Sequence, residues 1–269
     1  MKRLCALYGV TRAGYYAWQQ RSESARRAQD RVWLEEIRAL FQQSRGTYGS
    51  PRIHRALQAQ GHRLSRRRVE RLMREGGLRA RTARLYRANP GLHRFFAQHP
   101  NHLWGARVTG VNQIWVGDIT YLSVAGQWRY LAVVMDQYSR RILAWGLGAT
   151  RDTCLTRAVF DAAIRRRRTL PGLIFHSDRG SEYASAAFRD RLAVLGVRQS
   201  MTRGGAPGDN AHMESFFHSL KADFVHGTRF LTEAELRTQL RRYLWYYNYQ
   251  RLHSVLGYRS PVDYERRAA

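Results

Sequence analysis

Three carboxylates in this chain stand where a carboxylate is costly. Asp118 interrupts the apolar run IWVGDITYL, Asp178 closes LIFHSD and enters the loop RGSEYAS, and Glu214 lies in GDNAHMESFFHSLK. Acids are disfavoured in strand interiors and at strand ends that pack into a core, because an unpaired buried carboxylate is expensive. A cation removes that cost, and Mg²⁺ accepts one or two carboxylates while keeping water and phosphate oxygens. Alone, each acid reads as a capping or ion-paired group. Three of them in one strongly basic chain suggest a shared task.

The stretch around Glu214 adds a pattern. Helical spacing puts Asn210, Glu214, His218 and Lys221 on one face, with Phe216, Phe217 and Leu220 free to pack inward. A solvated stripe is the plain reading, and a DNA-facing surface is the chemical one. Lys221 is one of only two lysines, beside Lys2, and a flexible point charge suits a phosphate. Asn210 fits either a helix N-cap or a hydrogen bond to DNA. His176 and His218 suit supporting hydrogen bonds better than proton shuttling. Asp136 reads as a strand-end or turn carboxylate and Asp209 as a cap.

These residues need elements to hold them. QIWVGDITYLSV, QWRYLAVVMDQYS and RRILAWGLGA are β-branched and aromatic runs joined by short turns such as Ala125-Gly126, which predicts three antiparallel strands. TCLTRAVFDAAIRRRR predicts a helix, GLIFHSD a buried strand, SAAFRDRLAVLG a helix and VRQSM a further strand. The Glu214 helix and TEAELRTQLRRYLWYYNYQ complete the set. The expectation is an α/β sheet with helices on both faces. In YLWYYNYQRLH, aromatics at helical spacing read as core before they read as a base-stacking surface, and Arg251 and His253 as positioning groups.

Upstream, the spacing predicts helices near 26–45, from Pro51 to Gly61, and from Ser65 to Gly76. Short helices, tight turns and an arginine-loaded third helix fit a helix-turn-helix-like module, or else a small bundle with a basic face. Arg66, Arg67 and Arg68 are the candidate phosphate contacts there. The expected organisation is a basic helical segment at 1–25, the helix-turn-helix-like domain at 26–83, a basic linker at 84–110 and the catalytic α/β domain at 111–266.

Charge points to the same partner. The 269 residues hold 46 Lys+Arg against 20 Asp+Glu, a net of +26, and such a field favours a polyanion. Residues 1–110 carry 23 basic and 6 acidic groups, so the first part is the expected main grip on DNA. Cys5 and Cys154 make neither a disulfide framework nor a zinc site. No apolar run approaches the roughly 18–20 residues that span a bilayer. A cytoplasmic protein without structural metal, kept near the nucleoid by DNA, is expected.

Exactly 35 residues separate Asp178 from Glu214. With WVGDITYL, HSDRGSEY and DNAHMESFFHSLK around the acids, this resembles the D, D(35)E signature of retroviral-type integrases and insertion-sequence transposases. YYNYQRLHSVLGYRSPVDYE resembles the C-terminal signature of the IS-three transposase family, and SRGTYGSPRIHRAL with RRRVERLMREGGLRA resembles the helix-turn-helix segment before its catalytic core. The resemblance covers nearly the whole chain, as the second-reading-frame product. One departure is RGGAPGDNA, where the family often has a Cys and an aromatic. With two cysteines, a His/Cys zinc domain of the retroviral-integrase kind is not expected.

The resemblance implies an RNase H-like core, a mixed five-stranded sheet flanked by helices, behind a small all-α DNA-binding region. It implies Asp118, Asp178 and Glu214 as catalytic and metal-binding residues. Two Mg²⁺ ions, replaceable by Mn²⁺, would serve water attack at an element end and then 3′-OH attack on a second phosphodiester. The implied DNA contacts are Lys221, Asn210, His218, Arg251, Arg66, Arg67 and Arg68. The implied partners are terminal inverted repeats, target DNA, a second copy at least, and an upstream reading-frame protein or fusion. The alternatives are a structure-selective nuclease of the same fold and a non-catalytic DNA-binding regulator derived from a transposase.

Overall fold

The computed structural model describes residues 1–20, 23–81, 108–167, 171–203 and 207–268. The chain divides into two compact units, Met1–Ala80 and Arg81–Ala269. The predicted linker at 84–110 falls outside the described residues, apart from 108–110.

The first unit is all helix: α1 (Lys2–Leu7), α2 (Arg12–Gln20), α3 (Ala25–Gln43), α4 (Ser50–Ala59) and α5 (Arg66–Glu75). Its boundaries follow local chemistry. Ser24 and Ser65 accept hydrogen bonds from the backbone N–H of Arg27 and Arg68, capping α3 and α5. Pro51 sits in the first turn of α4, where its missing N–H costs nothing. Ile37, Ile53, Leu57, Val69 and Leu72 are almost wholly buried between α3, α4 and α5. Val32, an apolar position of the α3 pattern, is instead 60% exposed. Asp30, buried in α3, accepts from Arg68 Nε at 2.7 Å and from Arg71 Nη2 at 2.6 Å, tying α3 to α5. The hydrogen bond from Arg71 leads the effects that hold its carboxyl below the ordinary range.

The second unit runs β1 (Ile114–Val124), β2 (Gln127–Asp136), β3 (Ile142–Gly148), α6 (Thr153–Arg166), β4 (Ile174–Ser177), α7 (Ser181–Ala184), α8 (Ala186–Val194), β5 (Arg198–Met201), α9 (Ala211–Leu220), α10 (Glu233–Tyr249) and α11 (Pro261–Ala268). The sheet order is β3-β2-β1-β4-β5, with β1–β2 and β2–β3 antiparallel and β1–β4 and β4–β5 parallel. This is the expected mixed five-stranded sheet with helices on both faces. The β1–β2 hairpin turns at Ala125 (φ 47°) and Gly126 (φ 80°), two positive φ values of the kind a two-residue hairpin requires.

Alternation along the strands supplies two cores. Val116, Leu131, Val133 and Met135 pack with Met213 and Phe216 of α9 and Leu236, Leu240 and Tyr243 of α10. Trp115, Ala132, Val134 and Phe175 pack on the other face with Phe160 of α6 and Phe188 of α8. Asp118 shares its side of β1 with Ile114, Val116 and Leu122, which is the side that α9 covers. Among the described residues, no helix is long and apolar enough to cross a membrane.

Candidate active site

The register of two parallel strands brings two acids together. Gly117 of β1 pairs with Ser177 of β4, so the next residues, Asp118 and Asp178, leave the ladder side by side. Neighbouring strands lie roughly 4.8 Å apart. Phe175 explains the glycine before Asp118: a Cβ at Gly117 would come within 2.5 Å of its ring. Asp118 Oδ1 accepts the Ile119 N–H at 2.7 Å, and Asp178 Oδ1 accepts the Gly180 N–H at 3.1 Å.

The pair is electrostatically unbalanced. Burial first, and then the charge of Asp178, push the Asp118 carboxyl up to about 8. Burial also raises Asp178, against the opposing pull of the Gly180 N–H and the Arg151 charge. Two carboxylates of like charge held this close want a cation.

One cation already stands beside the pair, at a position that sequence reasoning missed. Arg151, at the start of the segment leading into α6, places Nη2 3.5 Å from Asp178 Oδ2. Its Nε donates to Glu182 Oε1 at 2.7 Å, and Glu182 is 3% exposed. Gly180 makes room for this pair: a Cβ there would clash with the Glu182 carboxylate and come within 2.8 Å of the Arg151 guanidinium. Arg151 is one of 44 arginines, and Glu182 lies in RGSEYAS, which reads as a loop but forms the short helix α7, so only the buried neighbours Tyr183 and Phe188 carry any signal in the sequence.

Glu214 stands apart from the two aspartates. It is exposed on α9, and desolvation alone raises its carboxyl, with no contribution from Asp118 or Asp178. Its helix is anchored by Met213, Phe216, Phe217 and Leu220, all buried, against the sheet face that bears Asp118. Among the described residues, no three His, Cys, Asp or Glu side chains are gathered closely enough to hold a metal.

The rest of the predicted stripe is not one continuous solvated face. Asn210 is 4% exposed at the N-cap position of α9, yet its side chain makes no capping bond and neither amide atom has a partner. His218 is partly buried. Lys221 is exposed and lies 5.3 Å from the Tyr121 ring, but α9 ends at Leu220 and a π-helical turn, Lys221–Val225, begins there. The wider turn replaces the regular two-turn step that spacing implied. His176 is fully buried, with Nδ1 2.9 Å from Ser200 Oγ, and burial lowers its pKa to about 4. Asp136 is a turn carboxylate as expected, accepting the N–H groups of Asn112, Tyr138 and Ser139. Asp209 accepts the Arg203 N–H at 2.9 Å and binds the Arg203 guanidinium through both carboxylate oxygens.

Two predicted DNA contacts are engaged elsewhere. Arg251 is 5% exposed, donates to Asp223 at 2.7 Å and to Ser219 at 3.2 Å, and so belongs to the interior. Arg68 is spent on Asp30 and Gln29, whereas Arg66 and Arg67 are exposed.

An HTH-like domain model matches residues 27–86, and Integrase core domain models match residues 108–207 and 195–261. The transposase for insertion sequence element IS904 of Lactococcus lactis is 35% identical over 91% of this chain and 98% of its own. Transposase InsF for insertion sequence IS3A of Escherichia coli is 35% identical over 99% of this chain and 94% of its own. This chain belongs to the IS-three family of insertion-sequence transposases. The transposase shares its fold with a simian T-cell lymphotropic virus intasome, 19% identical over 78% of this chain and 69% of that one, TM-score 0.51. A magnesium complex of the HTLV-2 integrase catalytic core domain also matches, 19% identical over 59% of this chain and 99% of that one, TM-score 0.43.

Proposed function

We propose that Asp118, Asp178 and Glu214 are the catalytic set with which this transposase cuts and joins DNA strands at the ends of its element. The observation that carries the proposal is the parallel β1–β4 register, which sets Asp118 beside Asp178 with an excess of negative charge. A pure DNA-binding protein gains nothing from carboxylates turned towards phosphates, because they repel. The donor set is all oxygen, which suits Mg²⁺, with Mn²⁺ as a substitute.

Asp118, Asp178 and Glu214 would be the residues that hold such ions. Bound there, the metal supplies activation of the attacking oxygen and neutralisation of charge at the scissile phosphate. Asp118 orients from within β1 and Asp178 from the residue just after β4. Arg151, anchored by Glu182, fixes the rotamer of Asp178 and tempers the repulsion before substrate arrives. Glu214 joins from α9 when DNA is present. Lys221 meets a phosphate near the cleaved bond, and the buried, orphaned amide of Asn210 reaches the DNA backbone only when the start of α9 opens to it. Water opens the phosphodiester first; the freed 3′-OH then attacks a second one. Terminal inverted repeats and target DNA are the substrates. Two ends must meet, so at least two copies act together, with an upstream reading-frame protein or fusion as a further partner.

The test supplies an element-end duplex bearing either a free 3′-OH or a dideoxy terminus, with Mg²⁺ and target DNA. Joined product from the first alone supports strand transfer. Cleavage without joining from either duplex points to a nuclease, and binding without cleavage to a regulator.

A further inference from the structure

A cleft of about 450 Å³ opens at the β3 edge of the sheet, between α10 and the end of α6. Five arginines line it: Arg141, Arg166, Arg167, Arg237 and Arg241, and no lining residue is acidic. Glu265 sits behind the cleft and orients two of them, accepting from Arg141 at 2.6 Å and Arg167 at 2.5 Å. Glu233 likewise holds Arg237 at 2.8 Å. Arg241 is exposed and has no carboxylate partner among the described residues. Two carboxylates against five guanidiniums leave the cleft positive.

Its rim is aromatic. On α10, Tyr243, Tyr246 and Tyr247 are buried in the core, whereas Trp245 and Tyr249, one turn apart, are 53% and 42% exposed. Their rings stack on each other, with centroids 5.4 Å apart and planes 18° from parallel. A paired, exposed aromatic platform beside arginines has the chemistry of a nucleobase site.

We propose that this cleft is a second DNA subsite, in which the arginines take backbone phosphates and the Trp245–Tyr249 platform stacks an unpaired base. It takes from the proposed function only that the ligand is DNA. The site is separate from the acids but within reach of the same strand: Asp118 pairs with Val133 and Val133 with Trp145, which lines the cleft, two strand spacings or roughly 10 Å away. A second protein copy fits poorly. Asn248 already occupies the β3 edge at this point, accepting the Ile142 N–H and donating to the Ile142 carbonyl, both at 2.9 Å, so an incoming strand finds these groups used. A two-fold dimer here would also set five arginines against five.

The test uses the full chain and a duplex with a single-stranded tail carrying 5-iododeoxyuridine. Ultraviolet crosslinking followed by peptide mapping is expected to place the adduct on Trp245 or Tyr249. The double variant Arg241→Ala, Trp245→Ala alters only exposed side chains. It is expected to bind the tailed DNA on the order of tenfold more weakly, with the salt slope shallower by about 0.7. Unchanged affinity and slope, with adducts mapping elsewhere, overturn the subsite. A DNA-free dimer that the double variant turns to monomer overturns it too, in favour of a second copy. Strand transfer is read separately through Glu214, so failure of the cleft leaves the catalytic reading standing, and the reverse.

Discussion

Arg151 donates to Glu182 at 2.7 Å, and this contact holds the guanidinium that reaches Asp178. The two partners are unequal. Glu182 is 3% exposed, while the Arg151 side chain is 45% exposed. Removing Arg151 strands a buried carboxylate; removing Glu182 frees a cation that can turn to water. Arg151→Ala is therefore expected to cost about 3 kcal/mol, and Glu182→Ala distinctly less. Urea unfolding of both variants decides it, and equal losses would argue against the asymmetry.

Asp118 predicts an unusual pH response in metal-free protein. Its carboxyl is pushed up to about 8 from an ordinary 3.8, by burial and then by Asp178. The folded state thus keeps a proton that the unfolded chain has lost. This group's contribution is full below the unfolded value and falls away as pH rises through the folded one. Relative to wild type, Asp118→Asn should gain melting temperature between pH 4 and pH 8 in chelator. A difference that stays flat across that range would contradict the coupling.

Arg251 should behave as a structural residue. Arg251→Ala leaves Asp223 buried without its cation and is expected to cost about 3–5 kcal/mol. The salt dependence of DNA binding by the surviving folded protein should not change. A shallower slope with full stability would return Arg251 to the DNA surface.

How much of this was legible follows from what each signal depends on. Asp118 and Asp178 were readable because an acid in an apolar run is locally anomalous. Ser65 and Pro51 were readable because caps are local. Arg251 was not: its burial rests on Asp223, 28 residues away and inside a π-helical turn that no spacing rule anticipates. The Arg151–Glu182 pair needed the fold to bring residues 31 apart together. The α10 aromatics were legible in type and only half in role, since three tyrosines pack inward and the Trp245–Tyr249 pair does not.

In the first unit, Arg67 and Arg68 should separate. Arg67 is exposed, so Arg67→Ala is expected to lower the slope of log affinity against log salt by about 0.9 with no loss of stability. Arg68→Ala removes one of the two ties to Asp30, leaving Arg71, and should lower the melting temperature instead. Identical behaviour of the two variants would count against the division.

The most direct measurement is single-turnover strand transfer from an element-end duplex with a recessed 3′-OH, in Mg²⁺, comparing wild type with Glu214→Gln. Glu214 is exposed and takes no part in the Asp118–Asp178 electrostatics, so the variant should keep its metal-free stability and its DNA affinity. The account predicts that joining falls at least about a hundredfold. Joining at the wild-type rate in Glu214→Gln would remove α9 from the chemistry and contradict the three-carboxylate site.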